Sequence, residues 1–247
     1  MAEFRIKIAG FTAAVTSLFD STKDYCRAYI SEEEPAFSLR VTPEDLVYEQ
    51  AFLDAEAAEE GLRRRKFTDP FLERTAIQRA VAENLLHRDV LLLHGSTVAV
   101  DGEAFLFTAA CGTGKSTHTR FYREVFGDRA VMVNDDKPFL RFTEEGVLAC
   151  GAPWSGKHGL ETNVAVPLAG ICLLTRGTEN TIRPASAEEL LPMLRHQSNP
   201  PRKEADLPKW ESLLMKLSGT VPLWQMECTK DPQAALVSHG AMTRKNT

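Results

Sequence analysis

The sequence lacks the features that define several large protein classes. None of its 247 residues lies in an apolar run long enough to span a membrane, and the first residues lack the apolar core of a signal peptide. Basic residues are not in excess, because the formal net charge is −5, which argues against a general nucleic-acid binder. The sequence therefore predicts a cytoplasmic protein with neither a membrane nor a nucleic acid as partner.

Cysteine is also sparse, and its five residues show no C-x-x-C spacing. This predicts a reducing compartment and no structural zinc site. Internal repeats and low-complexity segments are absent as well. The hydrophobic content of 43% and the charged content of 26% are typical of a globular protein. The length suffices for a sizeable core, in one large domain or two small ones.

Two closely spaced glycines mark a stretch that runs from Phe105 to His118 and reads FLFTAACGTGKSTH. The pattern predicts a buried strand, a glycine turn and a helix that begins near Lys115. Gly112 and Gly114 have no Cβ atom, so the turn can point several N–H groups into one concavity. Phosphate is attracted there, because the positive end of the helix faces the same concavity.

This stretch carries the compact core of a Walker A phosphate loop. In that loop the lysine reaches the β- and γ-phosphates, and the serine hydroxyl faces Mg²⁺. Ala109 stands where the full pattern has its first glycine, so the match is incomplete. The alternative is an ordinary strand–turn–helix corner. The predicted nucleotide contacts are Gly112, Thr113, Gly114, Lys115, Ser116 and Thr117.

Before this stretch the chain reads as a smaller α+β region. A helix opens at Pro43 and is predicted to run towards Arg63. The basic run of residues 63–66 reads either as a phosphate-binding patch or, more simply, as cations at the negative end of that helix. In the next helix, Ile77, Val81 and Leu85 recur every four residues and mark a buried face.

After the phosphate loop, residues 130–136 read as an apolar strand that ends in Asp135 and Asp136. Successive strand residues point to opposite sides, so one aspartate could serve a metal and the other an acceptor hydroxyl. The alternative is a pair of aspartates that opens a solvent-exposed turn. Further along, residues 164–174 are predicted to form a strand pair broken at Pro167.

Two other polar residues are candidates for the same site. His94 is predicted to end a strand, and from the residues alone a structural histidine is the more frequent case. Lys157 lies in a turn rich in glycine and could clamp a transferring phosphoryl group. A surface lysine is an equally good reading of that position.

The order of His94-Gly95, a hairpin, the Gly-Thr-Gly-Lys-Ser loop, a helix and Asp135-Asp136 resembles the catalytic domain of HPr kinase/phosphorylase. The loop is also similar to that of ATP-dependent phosphoenolpyruvate carboxykinase. The resemblance covers residues 90–175. It implies an α/β fold, with a mixed β-sheet P-loop domain of HPr kinase/PEP carboxykinase type over 89–241. A small α+β N-terminal region would occupy 1–88.

The resemblance also implies roles for individual residues. Asp135 would act as the base, Ser116 and Asp136 would hold Mg²⁺, and His94 would lie beside the transferred phosphate. In the family a signature segment follows the aspartates. The turn of residues 153–157 occupies that place here, so the acceptor site is expected to differ.

The function predicted from these patterns is an ATP-dependent, Mg²⁺-requiring kinase. Its acceptor would be a hydroxyl of a small molecule, a peptide or a protein serine. One alternative is a nucleotide-binding regulatory or assembly protein with weak ATPase activity and no acceptor. Another is a binding module with a degenerate loop, which Ala109 alone supports. Whether the protein is a homo-oligomer stays open.

Overall fold

The computed structural model describes residues 1–59, 61 and 63–243. The chain divides into two compact units, Met1–Leu85 and Leu86–Thr247. Each unit has its own sheet. Within the described residues, no helix combines the length and the apolar composition needed to cross a membrane.

The first unit opens with a hairpin of strands that alternate apolar and polar residues. β1 (Ala2–Ile8) and β2 (Phe11–Ser17) pair antiparallel along their whole length. Ala9 and Gly10 form the two-residue turn with φ of 50° and 85°, values that match the right-handed twist of the flanking strands. α1 (Asp20–Tyr25) and a 3₁₀ turn (Arg27–Tyr29) follow, and β3 (Phe37–Arg40) then joins β2 in parallel.

Two longer helices, α2 (Pro43–Glu59) and α3 (Asp69–Leu86), complete this unit. The predicted apolar positions Ile77, Val81 and Leu85 are fully buried. A buried ion pair joins the two helices, in which Arg79 Nε donates to Glu49 Oε1 at 2.6 Å. The pair is bidentate, which compensates two charges removed from water.

The basic run of residues 63–66 does not lie on a helix, and α2, which was predicted to run towards Arg63, ends before this run. α2 ends at Glu59, and Gly61 follows with a φ of 67°. Glycine adopts this left-handed conformation without strain and commonly terminates helices. Residues 63–66 are exposed and have no regular secondary structure. They are therefore not cations on the last turn of α2.

The second unit is built on a mixed sheet of nine strands in the described part of the chain. The strands are β4 (Val90–Leu92), β5 (Ser96–Val100), β6 (Glu103–Thr108), β7 (Ala130–Asn134), β8 (Phe139–Phe142), β9 (Val147–Cys150), β10 (Ala165–Arg176), β11 (Thr181–Pro184) and β12 (Leu223–Cys228). The helices are α4 (Lys115–Phe126), α5 (Ala187–His196), α6 (Leu207–Thr220) and α7 (Gln233–Met242). Short 3₁₀ helices cover Gly127–Arg129, Gly156–His158 and Glu204–Asp206.

The strand order is β4-β8-β9-β10-β6-β5-β7, with β12 paired to β10 and β11 paired to β12. β10 runs parallel to β6 and β12, whereas the other pairs are antiparallel. The turn between β5 and β6 is the predicted Asp101-Gly102 pair, with φ of 51° and 86°. The prediction of an α/β fold with a mixed sheet is therefore confirmed at this level.

Apolar side chains on the two faces of the sheet belong to two separate cores. Along β6, Leu106 belongs to one core and Phe105 and Phe107 to the other, because successive strand residues point to opposite faces. The first core includes buried residues of α5 and α6, and the second includes those of α4 and α7. The sheet therefore lies between two layers of helices.

The second core contains a polar contact that ties α7 to α4. Ser238 Oγ on α7 lies 3.0 Å from His118 Nε2 and 2.9 Å from Tyr122 Oη, both on α4. All three side chains are buried. Burial lowers the pKa of His118 to about 4, so this imidazole is neutral near pH 7. The hydroxyl satisfies polar atoms that burial would otherwise leave unpaired.

The predicted strand pair around Pro167 is instead one continuous strand, β10, of 12 residues. Pro167 lies in the segment that pairs with β9, and the pairing with β6 begins at Leu168. The strand thus changes partners where the proline cannot donate a hydrogen bond. Proline at such a junction does not interrupt the strand.

Candidate functional site

The glycine stretch forms the predicted strand, turn and helix. β6 ends at Thr108, and α4 begins at Lys115. Gly112 and Gly114 have φ of 72° and 124°, a region that residues with a Cβ atom seldom adopt. Gly114 is the last residue before the helix, and its carbonyl accepts the first helical bond from His118 N at 2.9 Å. The glycines thus permit the turn and open the helix.

Ala109 fits this turn although the full motif has glycine there. Its methyl group is buried in the core that contains Phe107, and its φ is not in the left-handed region. Its carbonyl accepts a hydrogen bond from Lys115 Nζ at 3.0 Å. Lys115 therefore folds back over the loop, and a glycine at position 109 is not required by the backbone.

Ser116 and Thr117 occupy the first turn of α4, directly after the lysine. Ser116 is exposed, whereas Thr113, Gly114 and Thr117 are half-buried. The N–H groups of a first helical turn have no partners within the helix, and the helix dipole is positive there. The loop and this turn therefore present donors and positive potential to an anion.

Asp135 and Asp136 lie in a bend directly after β7, which ends at Asn134. The expectation that they occupy strand positions is thus wrong by one or two residues. The reason is the Asn134 side chain, whose Oδ1 accepts from the N–H groups of Asp136 at 2.8 Å and Lys137 at 2.6 Å. An asparagine that bonds to the backbone two residues ahead favours a turn over a strand.

The same Asn134 side chain holds a second segment. Its Nδ2 donates to the carbonyl oxygens of Ala152 at 2.8 Å and Trp154 at 3.2 Å. Asn134 is fully buried, and its amide makes four hydrogen bonds to backbone. It therefore joins the bend that carries the aspartates to residues 152–154.

Asp135 is buried and connected to α4, the helix that begins at Lys115. Its Oδ1 accepts a hydrogen bond from Ser96 Oγ at 2.6 Å, and Ser96 Oγ lies 2.7 Å from Thr119 Oγ1 on α4. Ser96 and Thr119 are also buried. Asp135 is thus connected through two hydroxyl groups to the helix that begins with Lys115. The structure links the predicted carboxylate to the helix that follows the predicted loop.

Asp136 meets His94 on the other side of the bend. His94 Nε2 lies 3.2 Å from Asp136 Oδ1, and Gly95 N donates to the Asp136 carbonyl at 2.9 Å. A Cβ atom at position 95 would lie 3.0 Å from the Phe107 carbonyl oxygen. Glycine therefore allows the backbone at position 95 to lie close to the Phe107 backbone. β4 ends at Leu92, and His94 therefore lies two residues beyond the strand that was predicted to contain it.

Burial sets the protonation of this pair. It lowers the pKa of His94 to about 2, and the positive charges of Lys137 and Lys115 act in the same direction. Burial also raises the pKa of Asp136, which Lys137 and Lys115 oppose. His94 is therefore neutral near pH 7, and its contact with Asp136 is not an ion pair.

Lys157 lies on the 3₁₀ turn Gly156–His158 and is exposed. A Cβ atom at Gly156 would lie 3.3 Å from Asp136 Cβ, so this turn packs on Asp136. The residue before it, Ser155, donates a hydrogen bond to Glu161. Lys157 thus belongs to a segment that adjoins the aspartates.

Sequence reasoning missed four residues of this region: Ser96, Lys137, Asn134 and Arg176. Ser96 and Asn134 are polar residues at the ends of apolar strands, and that pattern could have indicated them. Lys137 follows the aspartates directly. Arg176 had no signal, because its contact with the loop depends on how β10 lies beside β6.

We expect Gly151→Ala to destabilise this region. A Cβ atom there would overlap the Thr162 carbonyl oxygen and lie 3.0 Å from the Val133 carbonyl oxygen, so the backbone must move. The expected loss is about 2–3 kcal/mol of the free energy of unfolding, measured in urea. Gly219→Ala in α6 is the control, since the space there is open. It should be neutral or stabilising, and equal losses in both variants would contradict the explanation.

The second prediction concerns the pH dependence of His94. Its pKa in the folded protein, about 2, is below the ordinary value of 6.5 because of burial. The unfolded chain therefore binds the proton more readily, and folding stability falls as the pH drops below 6.5 towards 2. His94→Gln should remove this component, so unfolding of wild type and variant should diverge at acid pH. His118 contributes equally to both. Nitrogen-15 NMR showing a charged His94 near pH 6 would contradict the prediction.

The fold and the site together define a mixed α/β protein with a glycine-rich strand–turn–helix loop beside two aspartates. Neither a scan of protein-family models nor a search of curated proteins finds a match for the chain. Among solved structures it is similar to the HPr(Ser) kinase/phosphatase from Coxiella burnetii, at 11% sequence identity and a TM-score of 0.37. That match covers 61% of this chain and 89% of the other. The similarity is distant.

Proposed function

We propose that the protein is an ATP-dependent, Mg²⁺-requiring kinase that phosphorylates a hydroxyl group. The observation that carries this proposal is the linkage of Asp135 through Ser96 to Thr119 on the phosphate-loop helix. A loop alone would suit any protein that binds a nucleotide. A buried carboxylate held against the helix that begins at the loop adds the base that transfer to a hydroxyl needs.

In this proposal the loop binds the polyphosphate of ATP. The backbone N–H groups of residues 112–117 and the first turn of α4 donate to the phosphate oxygens. Lys115 leaves the Ala109 carbonyl, which it contacts at 3.0 Å, and pairs with the β- and γ-phosphates. A charged donor to phosphate oxygens forms a stronger bond than one to a neutral carbonyl.

The residues near the loop suit Mg²⁺. This ion prefers oxygen ligands and commonly takes one or two from protein, with phosphate and water completing its shell. Ser116 and Asp136 would supply a hydroxyl and a carboxylate oxygen. The described residues contain no group of three or more His, Cys, Asp or Glu that could hold a metal by themselves, so phosphate oxygens would have to contribute. Bound Mg²⁺ would neutralise charge on the phosphates.

In the proposed transfer step, a proton moves to a carboxylate, one bond to phosphorus forms and another breaks. The acceptor hydroxyl gives its proton to the Asp135 carboxylate. Its oxygen forms a bond to the γ-phosphorus, while the bond from that phosphorus to the β,γ-bridging oxygen breaks and ADP leaves with the electron pair. Since Ser96 is bonded to Oδ1 of Asp135, we assign the proton to Oδ2.

His94 and Lys157 would stabilise the phosphoryl group during transfer. His94 is neutral, so it would act as a hydrogen-bond donor and not as a charge. Lys157 would supply the positive charge, because its turn packs on Asp136. Such groups act most strongly when they are already oriented before the reaction.

The decisive experiment follows the γ-phosphate of labelled ATP. The protein is incubated with Mg²⁺ and pools of hydroxyl-bearing small molecules, serine peptides and proteins. We expect label to appear on a member of one pool and ATP consumption to rise when that pool is added. Arg120→Ala is the control variant and should transfer label like the wild type. Arg120 is exposed on α4 and pairs with Glu124.

Two outcomes would contradict the proposal. Release of inorganic phosphate at a rate that no acceptor changes would favour a nucleotide-binding regulatory or assembly protein. The absence of any heat on calorimetric titration with ATP and Mg²⁺ would favour a degenerate loop. The geometry of Ala109, which accommodates Lys115 at 3.0 Å, supports a functional loop.

A further inference from the structure

We infer that Arg176 is a second cation for the nucleotide phosphates, beside Lys115. This inference rests on the proposed function, since it concerns the same nucleotide. Nothing in the sequence pattern singles out Arg176, which lies 61 positions after the lysine in the chain numbering. We infer the role of Arg176 from its position at the end of β10 and from one hydrogen bond to the loop.

The sheet places the end of β10 beside the phosphate loop. β10 runs parallel to β6, and their last paired residues are Leu173 and Thr108. β6 ends there, whereas β10 continues to Arg176. Because the two strands point in the same direction, the extra residues of β10 extend to the side where the chain leaves β6 for the loop. Arg176 therefore reaches residues that are distant in sequence.

The guanidinium group contacts the loop directly. Arg176 Nη2 lies 2.5 Å from the carbonyl oxygen of Gly112. Gly112 is one of the two glycines whose φ lies in the left-handed region within this turn. A guanidinium group carries five N–H donors in a planar fork, and this contact involves one of its nitrogens. The remaining donors are suited to bind phosphate oxygens at the same loop.

The charge of Arg176 also has no carboxylate partner among the residues that the structure describes. Arg183 pairs with Glu189 at 2.7 Å and Arg195 pairs with Glu211 at 2.9 Å, yet the described residues contain no such carboxylate partner for Arg176. Arg176 is exposed as well. A cation without a carboxylate partner at an anion-binding loop raises the local positive potential and attracts polyphosphate.

The test distinguishes the effect of the Arg176 charge from the effect of its hydrogen bond to Gly112. Arg176→Gln keeps a donor for Gly112 and loses the charge, whereas Arg176→Lys keeps the charge. Arg183→Gln is the matched control, because Arg183 is an exposed arginine on β11 that pairs with Glu189. Isothermal titration with ATP, ADP and adenosine is carried out in Mg²⁺ buffer, and thermal unfolding checks that each variant is folded.

We expect Arg176→Gln to weaken ATP binding about 10-fold or more, the loss of one charge-assisted contact. Binding of adenosine should stay unchanged, Arg176→Lys should recover part of the ATP affinity, and Arg183→Gln should match wild type. Added salt should reduce the difference between wild type and Arg176→Gln.

ATP binding by Arg176→Gln within twofold of wild type would overturn the inference and leave the kinase proposal intact. Equal losses for ATP and adenosine would also overturn it, because they would indicate that Arg176 only shapes the loop. A wild-type protein that binds no ATP would refute the kinase proposal itself, and this inference with it.

Discussion

Lys115→Ala is expected to abolish nucleotide-dependent activity. Lys115 is the first residue of α4, and its Nζ lies 3.0 Å from the Ala109 carbonyl across the loop. In the proposed function, its removal would take away a charged donor to the β- and γ-phosphates. We expect ATP affinity to fall about 10- to 100-fold by isothermal titration. Phosphoryl transfer should fall about 10³-fold or more in the labelled-ATP assay, because the charge also stabilises the transition state.

Arg120→Ala is the control for this prediction, since it removes a cation from the exposed face of the same helix. It should leave both ATP affinity and transfer near the wild-type values. Thermal unfolding of both variants should show that neither is unfolded. A Lys115→Ala variant that keeps full ATP affinity would show that the loop does not bind phosphate as proposed.

Asp135→Asn is expected to stop transfer while ATP still binds. The asparagine amide has nearly the shape of the carboxylate, and its oxygen can still accept the bond from Ser96, which is 2.6 Å long in the wild type. It cannot take up the acceptor proton. Transfer should therefore fall about 10²- to 10⁴-fold, and the dissociation constant for ATP should change little.

Ser96→Ala is the companion variant. It leaves the carboxylate in place and removes the hydroxyl that links it to Thr119. A smaller fall in transfer than for Asp135→Asn is expected, since Ser96 positions the base and does not itself accept the proton. Retained turnover in Asp135→Asn would remove Asp135 from this role. The Asp136→Asn variant would then show whether Asp136 is the base instead. Burial raises the pKa of the Asp136 carboxyl group.

Elements with strong local signals could be predicted from the sequence. The buried face of α3 follows from Ile77, Val81 and Leu85 at helical spacing, and all three are buried. The hairpin of β5 and β6 follows from Asp101-Gly102, whose backbone angles suit a two-residue turn. In these cases, the conformation depends on residues near in sequence.

Strands that pair with segments distant in sequence were harder to predict. β10 continues beyond Pro167, where its pairing with β9 ends and its pairing with β6 begins. No local pattern shows which strands will be the neighbours of β10. β11 was missed altogether. It pairs with β12, more than 35 residues later in the chain.

The candidate site shows the same division. The Gly-Thr-Gly-Lys-Ser motif indicates a phosphate loop by itself, and the two aspartates follow an apolar strand. The sequence does not show that Asp135 lies against Ser96, or that Asp136 lies 3.2 Å from His94. Those contacts require the order of β4, β5 and β7 in the sheet, together with the Asn134 amide that turns the chain after β7.

The Ser238 contact has a consequence for α7 and the helix that it packs on. Removal of α7 by truncation would leave the His118 imidazole and the Tyr122 phenol of α4 without their hydroxyl partner. The helix that begins at the phosphate loop would then lose its packing from behind. In the proposed function, occupancy of the loop by a nucleotide and protection of α7 from digestion would therefore be thermodynamically linked.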